Sequence, residues 1–247
     1  MHSDTLVIIP AYNEERAIAG VVASVKEMYP VIDIAVVNDG SADGTAYMAL
    51  SAGAIVLSHP FNMGYGVALQ TGYKYAMRHG YRYLVQMDGD GQHDPGGIGA
   101  LLDAVKNDMA DVALGSRFVG SGSYHPTTIR LLGIKFFRFI LFLLSGRHIN
   151  DITTGFQAMN LRVLNLFIQD VFPCDYPDAD IILLLSRFGF RITEVPVTMY
   201  ANQYGKSMHH NPVKVMYYVF KMFLSLLLTK LRKYSVPGLQ GPERNGG

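Results

Sequence analysis

Among 247 residues the chain has one cysteine, Cys174, and no tryptophan. A single cysteine excludes an internal disulfide and fits a reducing compartment. Charge bias is missing too: 21 Lys and Arg against 20 Asp and Glu leave a net +1, so there is no overall electrostatic footprint for nucleic acid. Leu6 to Ile9 is too short an apolar run for a secretory signal, and Pro10 interrupts it. The best candidate for a membrane span, 213–231, carries Lys214, Lys221 and Lys230, whereas a span needs about 18 or more apolar residues with few charges. Any membrane contact is therefore expected to be peripheral.

Several ligand-binding patterns fail as well. Gly64-Tyr-Gly66-Val-Ala-Leu69 lacks the third glycine of a dinucleotide fingerprint, and no acidic ribose partner follows. Gly205-Lys206-Ser207 looks like the end of a P-loop, but Tyr200 stands where its first glycine is required. Asp88 to Asp94 begins like a calcium loop, yet His93 takes the glycine position and Gly99 the bidentate glutamate position. The His209-His210 pair has no partners at zinc spacing.

Hydrophobic residues make up 49% of the chain and charged ones 17%, so it is globular and on the greasy side, long enough for one full core. Acid is unevenly spread. From Val112 to Asn150 there is none beside Arg117, Arg130, Lys135, Arg138 and Arg147, and from Lys206 to Tyr234 none beside six Lys or Arg. Both stretches are also the most apolar. Ile129 to Leu144 reads as a helix apolar nearly all round, either packed deep or laid on lipid with its cations reaching phosphates.

The first half alternates short apolar strands with helical periodicity: strands at Leu6–Ile9, Ile34–Val37, Ala54–Leu57, Tyr83–Met87 and Val112–Leu114, helices at 14–28, from 44, 64–77 and 98–105. Such alternation predicts an α/β fold, a mostly parallel sheet with helices on both faces. A polar turn at Asp151 to Phe156 leads into a further short strand, and a helix runs from Asp178-Ala-Asp180 to about Phe188. Pro196 makes Ile192–Thr198 an edge strand, Pro212 opens a last helix to about Lys233, and 235–247 reads as a disordered tail.

Ligands of open parallel sheets bind beyond the carboxyl ends of the strands. On that edge fall Pro10-Ala-Tyr12-Asn13-Glu14, Asn38-Asp39-Gly40-Ser41 and Asp88-Gly-Asp90. If the chain stays extended past Met87, Asp88 and Asp90 point the same way and converge on one cation. Two hard oxygen ligands plus water suit Mg²⁺ or Mn²⁺, whose shell is then completed by substrate phosphates. Alone, an Asp-Gly-Asp is better explained by an acidic turn after a core strand; three polar loops on one edge favour a metal-assisted diphosphate site.

The order of the loops carries more than their spacing. Ile9-Pro-Ala-Tyr-Asn-Glu-Glu15, Asn38-Asp-Gly-Ser-Ala-Asp-Gly-Thr45, Asn62-Met-Gly-Tyr-Gly66, Asp88-Gly-Asp-Gly-Gln-His93, Gly115-Ser-Arg117, Thr154-Gly-Phe156 and Glu194-Val-Pro196 resemble the motif series of family 2 glycosyltransferases of the GT-A fold, and are most similar to the dolichyl- or polyprenyl-phosphate sugar synthase branch. The likeness runs over about residues 5 to 207. It implies a GT-A catalytic domain at 1–207, a membrane-associating amphipathic helix at 208–234 and the tail beyond.

The resemblance further implies that Pro10, Tyr12, Glu14 and Gly64 belong to the nucleotide-sugar site, with Asp39 receiving base or ribose. Asp88 and Asp90 match the divalent-metal motif, with Gln92 beside the diphosphate. Arg117 and Arg130 match phosphate-facing cations, and Asp178 or Asp180 the acidic position that serves as base in relatives with hydroxyl acceptors. The expected reaction is an inverting, metal-dependent transfer from a UDP-, GDP- or dTDP-linked sugar to a polyprenyl phosphate at the cytoplasmic face of a membrane. A small membrane protein or a second copy of the chain is the expected further partner. The alternatives are a hydroxyl acceptor, such as a lipid-linked saccharide, or a silent nucleotide-sugar-binding scaffold. A nucleotidyltransferase is disfavoured, because no Gly-rich, Arg-containing loop follows the first strand.

Two departures stand out. Asn38 takes the place of a first aspartate, and Asn202-Gln-Tyr-Gly-Lys-Ser-Met208 lacks both terminal cations of the related Arg-x-x-Gly-x-Ser-Lys loop, leaving Lys206.

Overall fold

The computed structural model describes residues 3–120, 128–173, 179–200 and 212–234, without the side chains of 128–130, 132 and 212–219. Seven strands form one sheet in the order β3-β2-β1-β4-β6-β5-β7. They are β1 (Thr5–Ala11), β2 (Asp33–Asn38), β3 (Ile55–Ser58), β4 (Tyr83–Gln86), β5 (Val112–Ser116), β6 (Gln157–Asn160) and β7 (Ile192–Pro196). All pairings are parallel except those of β6, which runs antiparallel to both β4 and β5. Helices α1 (Ile18–Met28), α2 (Thr45–Ser51), α3 (Tyr65–Arg78), α4 (Gly97–Lys106), α5 (Thr128–Ser145), α6 (Leu161–Phe167), α7 (Ala179–Arg187) and α8 (Pro212–Leu231) complete the described elements.

Strand β1 shows why the sheet is buried on both sides. Leu6 and Ile8 enter one core with α3, α5, α6, α7 and α8, while Val7 and Ile9 enter the other with α1 and α4; all four are fully buried. An uninterrupted apolar run is what a strand covered on both faces requires. Pro10 lies inside β1 rather than ending it. Ala11 accepts from the Asp39 amide on the β2 side and Ile8 from Met87 on the β4 side, so Pro10 faces β4 one step after the ladder has ended. Its missing N–H costs no sheet bond there.

The sequence expectations hold for the alternating first half and differ in three places. Strand β4 stops at Gln86, and Asp88 to Gly91 leave in a turn, so the carboxylates are not arranged as i and i+2 of an extended segment. Strand β6 reverses direction, which the polar lead-in from Asp151 did not reveal. Helix α6 was not anticipated; it begins directly after β6, where the Asn160 side chain accepts from the Val163 amide. As Pro196 implied, β7 is an edge strand.

Helices α5 and α8 both pack on α7. Phe137 and Leu141 of α5, and Met222, Leu226 and Thr229 of α8, are buried, whereas Phe136, Phe139, Leu143, Phe220, Phe223, Leu227, Leu228 and Leu231 are exposed. Ser225 of α8 donates to Asp180 of α7 at 2.5 Å, and the Arg187 guanidinium caps the carbonyls ending α8. Among the described residues, no helix is long and apolar enough to cross a membrane. The expected boundary at 207/208 and the tail 235–247 lie outside the described residues.

Candidate active site

The loops after β1, β2 and β4 meet at the carboxyl edge of the sheet. The first two are laced together: the Asn13 amide donates to Ser41 Oγ, Glu14 to Thr45 Oγ1, and the Ala42 amide to Asn13 Oδ1. Tyr12 is left 48% exposed at the rim, a face open to a planar ligand. Pro10 is buried beneath it. Asp39 is 4% exposed and already occupied: its carboxylate accepts from the amides of Met63 and Gly64 at 2.8 and 2.9 Å and meets His59 Nδ1 at 2.7 Å. It thereby ties the start of α3 to the end of β2. Asn38 contributes likewise, accepting from Ser41 and donating to Ser58.

Asp88 is fixed from two sides. Tyr65 Oη donates to Oδ1 at 2.8 Å, and His93 Nε2 lies 3.0 Å from Oδ2. Behind Tyr65 a buried relay runs through Gln86 to Tyr73, at 3.2 and 2.6 Å. Burial pushes the Asp88 carboxyl up, but the bonds from His93 and Tyr65 and the charge of Arg117 outweigh it and hold Asp88 below the ordinary carboxylate range. Burial first, then the Asp88 charge, raises the Tyr65 phenol, so it stays a donor. Asp90 sits in the turn and accepts from the Gln92 amide at 3.0 Å and from the Gln92 side chain. Gly91, with φ +78°, closes this turn.

The loop before β6 presses on the same carboxylate. A Cβ added to Gly155 would lie 2.7 Å from Asp88 Oδ2, closer than real contacts allow. That explains the glycine of Thr154-Gly-Phe156. The rest of the loop is held by a chain of ions. Glu194 of β7 accepts from the amides of Asn150 and Asp151, each at 2.8 Å, and Asp151 takes a two-pronged grip on Arg117, at 2.7 Å from Nε and 2.6 Å from Nη2. Thr153 Oγ1 adds a third contact to Arg117 at 3.0 Å. Arg117 is 8% exposed and Asp151 1%. The expected phosphate-facing cation is thus engaged by a buried carboxylate, although its charge reaches Asp88.

Of the remaining expected residues, the Arg130 side chain and Asp178 lie outside the described residues. Asp180, 4% exposed, accepts from Ser225 of α8 and from the Ile181 amide. Tyr65, His93, Asp151 and Gly155 were not singled out from the sequence. Tyr65, His93 and Gly155 stand within quoted motifs, but only the fold shows that all three converge on Asp88.

No cluster of three or more His, Cys, Asp or Glu among the described residues forms a self-sufficient metal cage. The donor set suits a different arrangement. Burial and then the charges of Asp90, Asp43 and Asp88 push the Glu14 carboxyl up to about 7. Asp88 and Asp90 fit a hard divalent cation that takes further oxygens from a bound diphosphate.

Residues 6–167 match the family model described as glycosyl transferase family 2. The chain is 35% identical over 216 residues to polyprenol monophosphomannose synthase of Mycolicibacterium smegmatis, covering 82% of this chain and 80% of that one. It is 33% identical to undecaprenyl-phosphate mannosyltransferase of Micrococcus luteus, covering 82% and 86%. Among solved structures, glucosyl-3-phosphoglycerate synthase from Mycobacterium tuberculosis, in complex with Mn²⁺ and uridine-diphosphate-glucose, superposes with a TM-score of 0.68 at 20% identity, covering 92% and 78%. With these motifs on this α/β, GT-A-like sheet, the chain belongs to glycosyl transferase family 2 and is a glycosyltransferase.

Proposed function

We propose that this enzyme transfers a sugar from a nucleoside-diphosphate sugar to a polyprenyl phosphate at a membrane surface, with Mg²⁺ or Mn²⁺ held at Asp88 and Asp90. The observation that carries this reading is the set of exposed apolar side chains on α5 and α8, Phe136, Phe139, Leu143, Phe223 and Leu227 among them, on two helices that both pack on α7. Large apolar side chains exposed in number on two helices mark an interaction surface, and Lys135, Lys221 and Lys230 on the same helices suit anionic head groups. Two relatives that the chain matches over four-fifths of its length bear names of polyprenol-phosphate and undecaprenyl-phosphate sugar transfer.

In this reading Tyr12, Pro10 and the laced loops seat the nucleoside, and Tyr65 and His93 hold Asp88 in place. A bound cation supplies Lewis acidity against the charge developing on the departing diphosphate. The acceptor phosphate attacks the anomeric carbon in line, which inverts its configuration. Since a phosphate monoester is already anionic at neutral pH, no general base is required. Of the two carboxylates that a hydroxyl acceptor would call on as base, Asp180 bonds to Ser225 of α8 and Asp178 lies outside the described residues. Donor and acceptor panels test the proposal, with UDP-, GDP- and dTDP-sugars against undecaprenyl phosphate and soluble saccharides, each with Mn²⁺ and with chelator. Transfer confined to soluble saccharides would overturn it.

A further inference from the structure

Arg138 is the cation in the described structure whose environment is least complete. Its Nε and Nη2 are buried and have no hydrogen-bond partner. The guanidinium lies 4.4 Å from the centroid of Phe118, a ring that Arg117 also approaches, at 5.7 Å. The nearby carboxylates do not serve it. Asp151 spends both oxygens on Arg117, and Glu194 spends both on the backbone of Asn150 and Asp151. Both are near enough to favour the charged guanidinium, against the larger effect of burial. A guanidinium keeps its donors in a rigid fork, and leaving them buried and unmatched costs more than pairing them gains.

The location gives these donors a use. Phe118 lies two residues beyond the end of β5, and Arg117, between them, is near enough for its charge to act on both Asp88 and Arg138. Arg138 therefore neighbours the cation whose charge reaches the carboxylate turn. On its own helix the next residue, Phe139, is 59% exposed, as are Phe136 and Leu143 at 53% and 63%. Orphaned donors beside an exposed apolar stripe match an amphiphile with an anionic head and a hydrocarbon tail.

We infer that Arg138, with Phe118 as its stacking platform, anchors the phosphate monoester of the acceptor while the tail lies along α5. This rests on the proposed lipid-phosphate acceptor and assigns the anchoring role to Arg138, because Arg117 is held by Asp151. Phosphate oxygens would accept from Nε and Nη2 side by side, the geometry a guanidinium offers to an oxyanion.

Steady-state kinetics of the full chain with undecaprenyl phosphate, together with calorimetric titration of farnesyl phosphate and of inorganic phosphate, test the anchor in wild type, R138Q and R138K. R138Q is expected to raise the acceptor KM roughly tenfold to a hundredfold, as for loss of charge-assisted bonds, with the donor KM unchanged. R138K, which keeps charge without the fork, should fall between. Because R138Q removes unmatched buried donors, its melting temperature should hold or rise, unlike that of a residue kept for stability. Equal loss of farnesyl phosphate and inorganic phosphate would locate recognition in the head group alone; a larger wild-type affinity for farnesyl phosphate would add the chain. An unchanged acceptor KM in R138Q, or a rise confined to the donor KM, overturns the anchor while leaving lipid-phosphate transfer standing. If wild type transfers only to soluble saccharides, lipid-phosphate transfer falls by itself, and the anchor is then overturned if R138Q titrates with both phosphates as wild type does.

Discussion

The two halves of the sheet edge satisfy their polar groups in opposite ways. On the β1–β4 side the loops bond to one another: Asn13 to Ser41 and Ala42, Glu14 to Thr45, Asp39 to Met63 and Gly64. There burial and the charges of Asp90, Asp43 and Asp88 together raise the Glu14 carboxyl to about 7. On the β5–β7 side the Glu194–Asp151–Arg117 chain is likewise internal, but beside it Arg138 has unmatched donors and α5 and α8 turn phenyl and leucyl groups outward. In the proposed function the first half is a cup that receives the small polar donor, and the second receives the anionic, apolar acceptor.

The largest effect should come from emptying the cup of its charge. Asp90→Ala leaves Asp88 and its Tyr65 and His93 bonds in place, so the fold survives, yet the cation loses one of two carboxylates. A fall in kcat of about a thousandfold is expected, comparable to losing a principal electrostatic stabiliser, and chelation should reproduce it. Full activity in the variant would remove the metal assignment. On the other side the corresponding cut is structural. Arg117→Gln strands Asp151, 1% exposed, without its two-pronged partner. Breaking a buried pair from one end costs about 3–5 kcal/mol, about 6–20 °C in melting temperature for a chain of this size. If Arg117 instead served chiefly to bind phosphate, the variant would melt near wild type while losing acceptor affinity.

Gly155→Ala tests the seam between the halves. The added methyl would meet the Asp88 carboxylate at 2.7 Å. Overpacking of this kind costs about 1–3 kcal/mol, and because the displaced group is a carboxylate of the acidic turn, Mn²⁺ affinity should fall along with stability. A variant that loses stability but keeps Mn²⁺ affinity would show that the loop, rather than Asp88, yields.

How much of this was legible beforehand follows the same division. The first half could be read because apolar runs such as Leu6–Ile9 and helical spacing at Ile18, Val21, Val22 and Val25 answer to burial rules that act locally. Pro196 likewise announced an edge. The reversal of β6 was hidden, since four residues, Gln157–Asn160, carry no directional signal and their partners are β4 and β5, far away in sequence. The site was legible as a set of loops but not as contacts. Spacing put Asp88 and Asp90 in one loop, while Tyr65, Gly155 and Asp151 act across separations of up to 67 positions that only the assembled sheet closes. Arg138 looked like one of several cations on a greasy helix; what distinguishes it is that its buried Nε and Nη2 have no hydrogen-bond partner, which no sequence displays.

The smallest effect concerns pH, and it asks whether the cup's charges act on one another as the geometry implies. In the folded protein Glu14 releases its proton near 7, against an ordinary value of 4.5, chiefly through burial and then through Asp90, Asp43 and Asp88. Between those two values the folded chain holds a proton that the unfolded chain has lost, so this group favours folding at low pH and its contribution is lost as pH rises through 7. A divalent cation reverses the balance by favouring the ionised form. Above about 7 it binds with no proton to displace, and below it one proton competes, weakening Mn²⁺ by up to about tenfold per pH unit. The rise in melting temperature caused by Mn²⁺ should therefore be larger at pH 8 than at pH 6 in wild type. Glu14→Gln should flatten that difference, because Asp88 is held ionised well below this range by His93, Tyr65 and Arg117. An equal Mn²⁺ shift at both pH values in wild type would mean that the acidic turn does not reach Glu14, and that the cup is less tightly coupled than its bonding suggests.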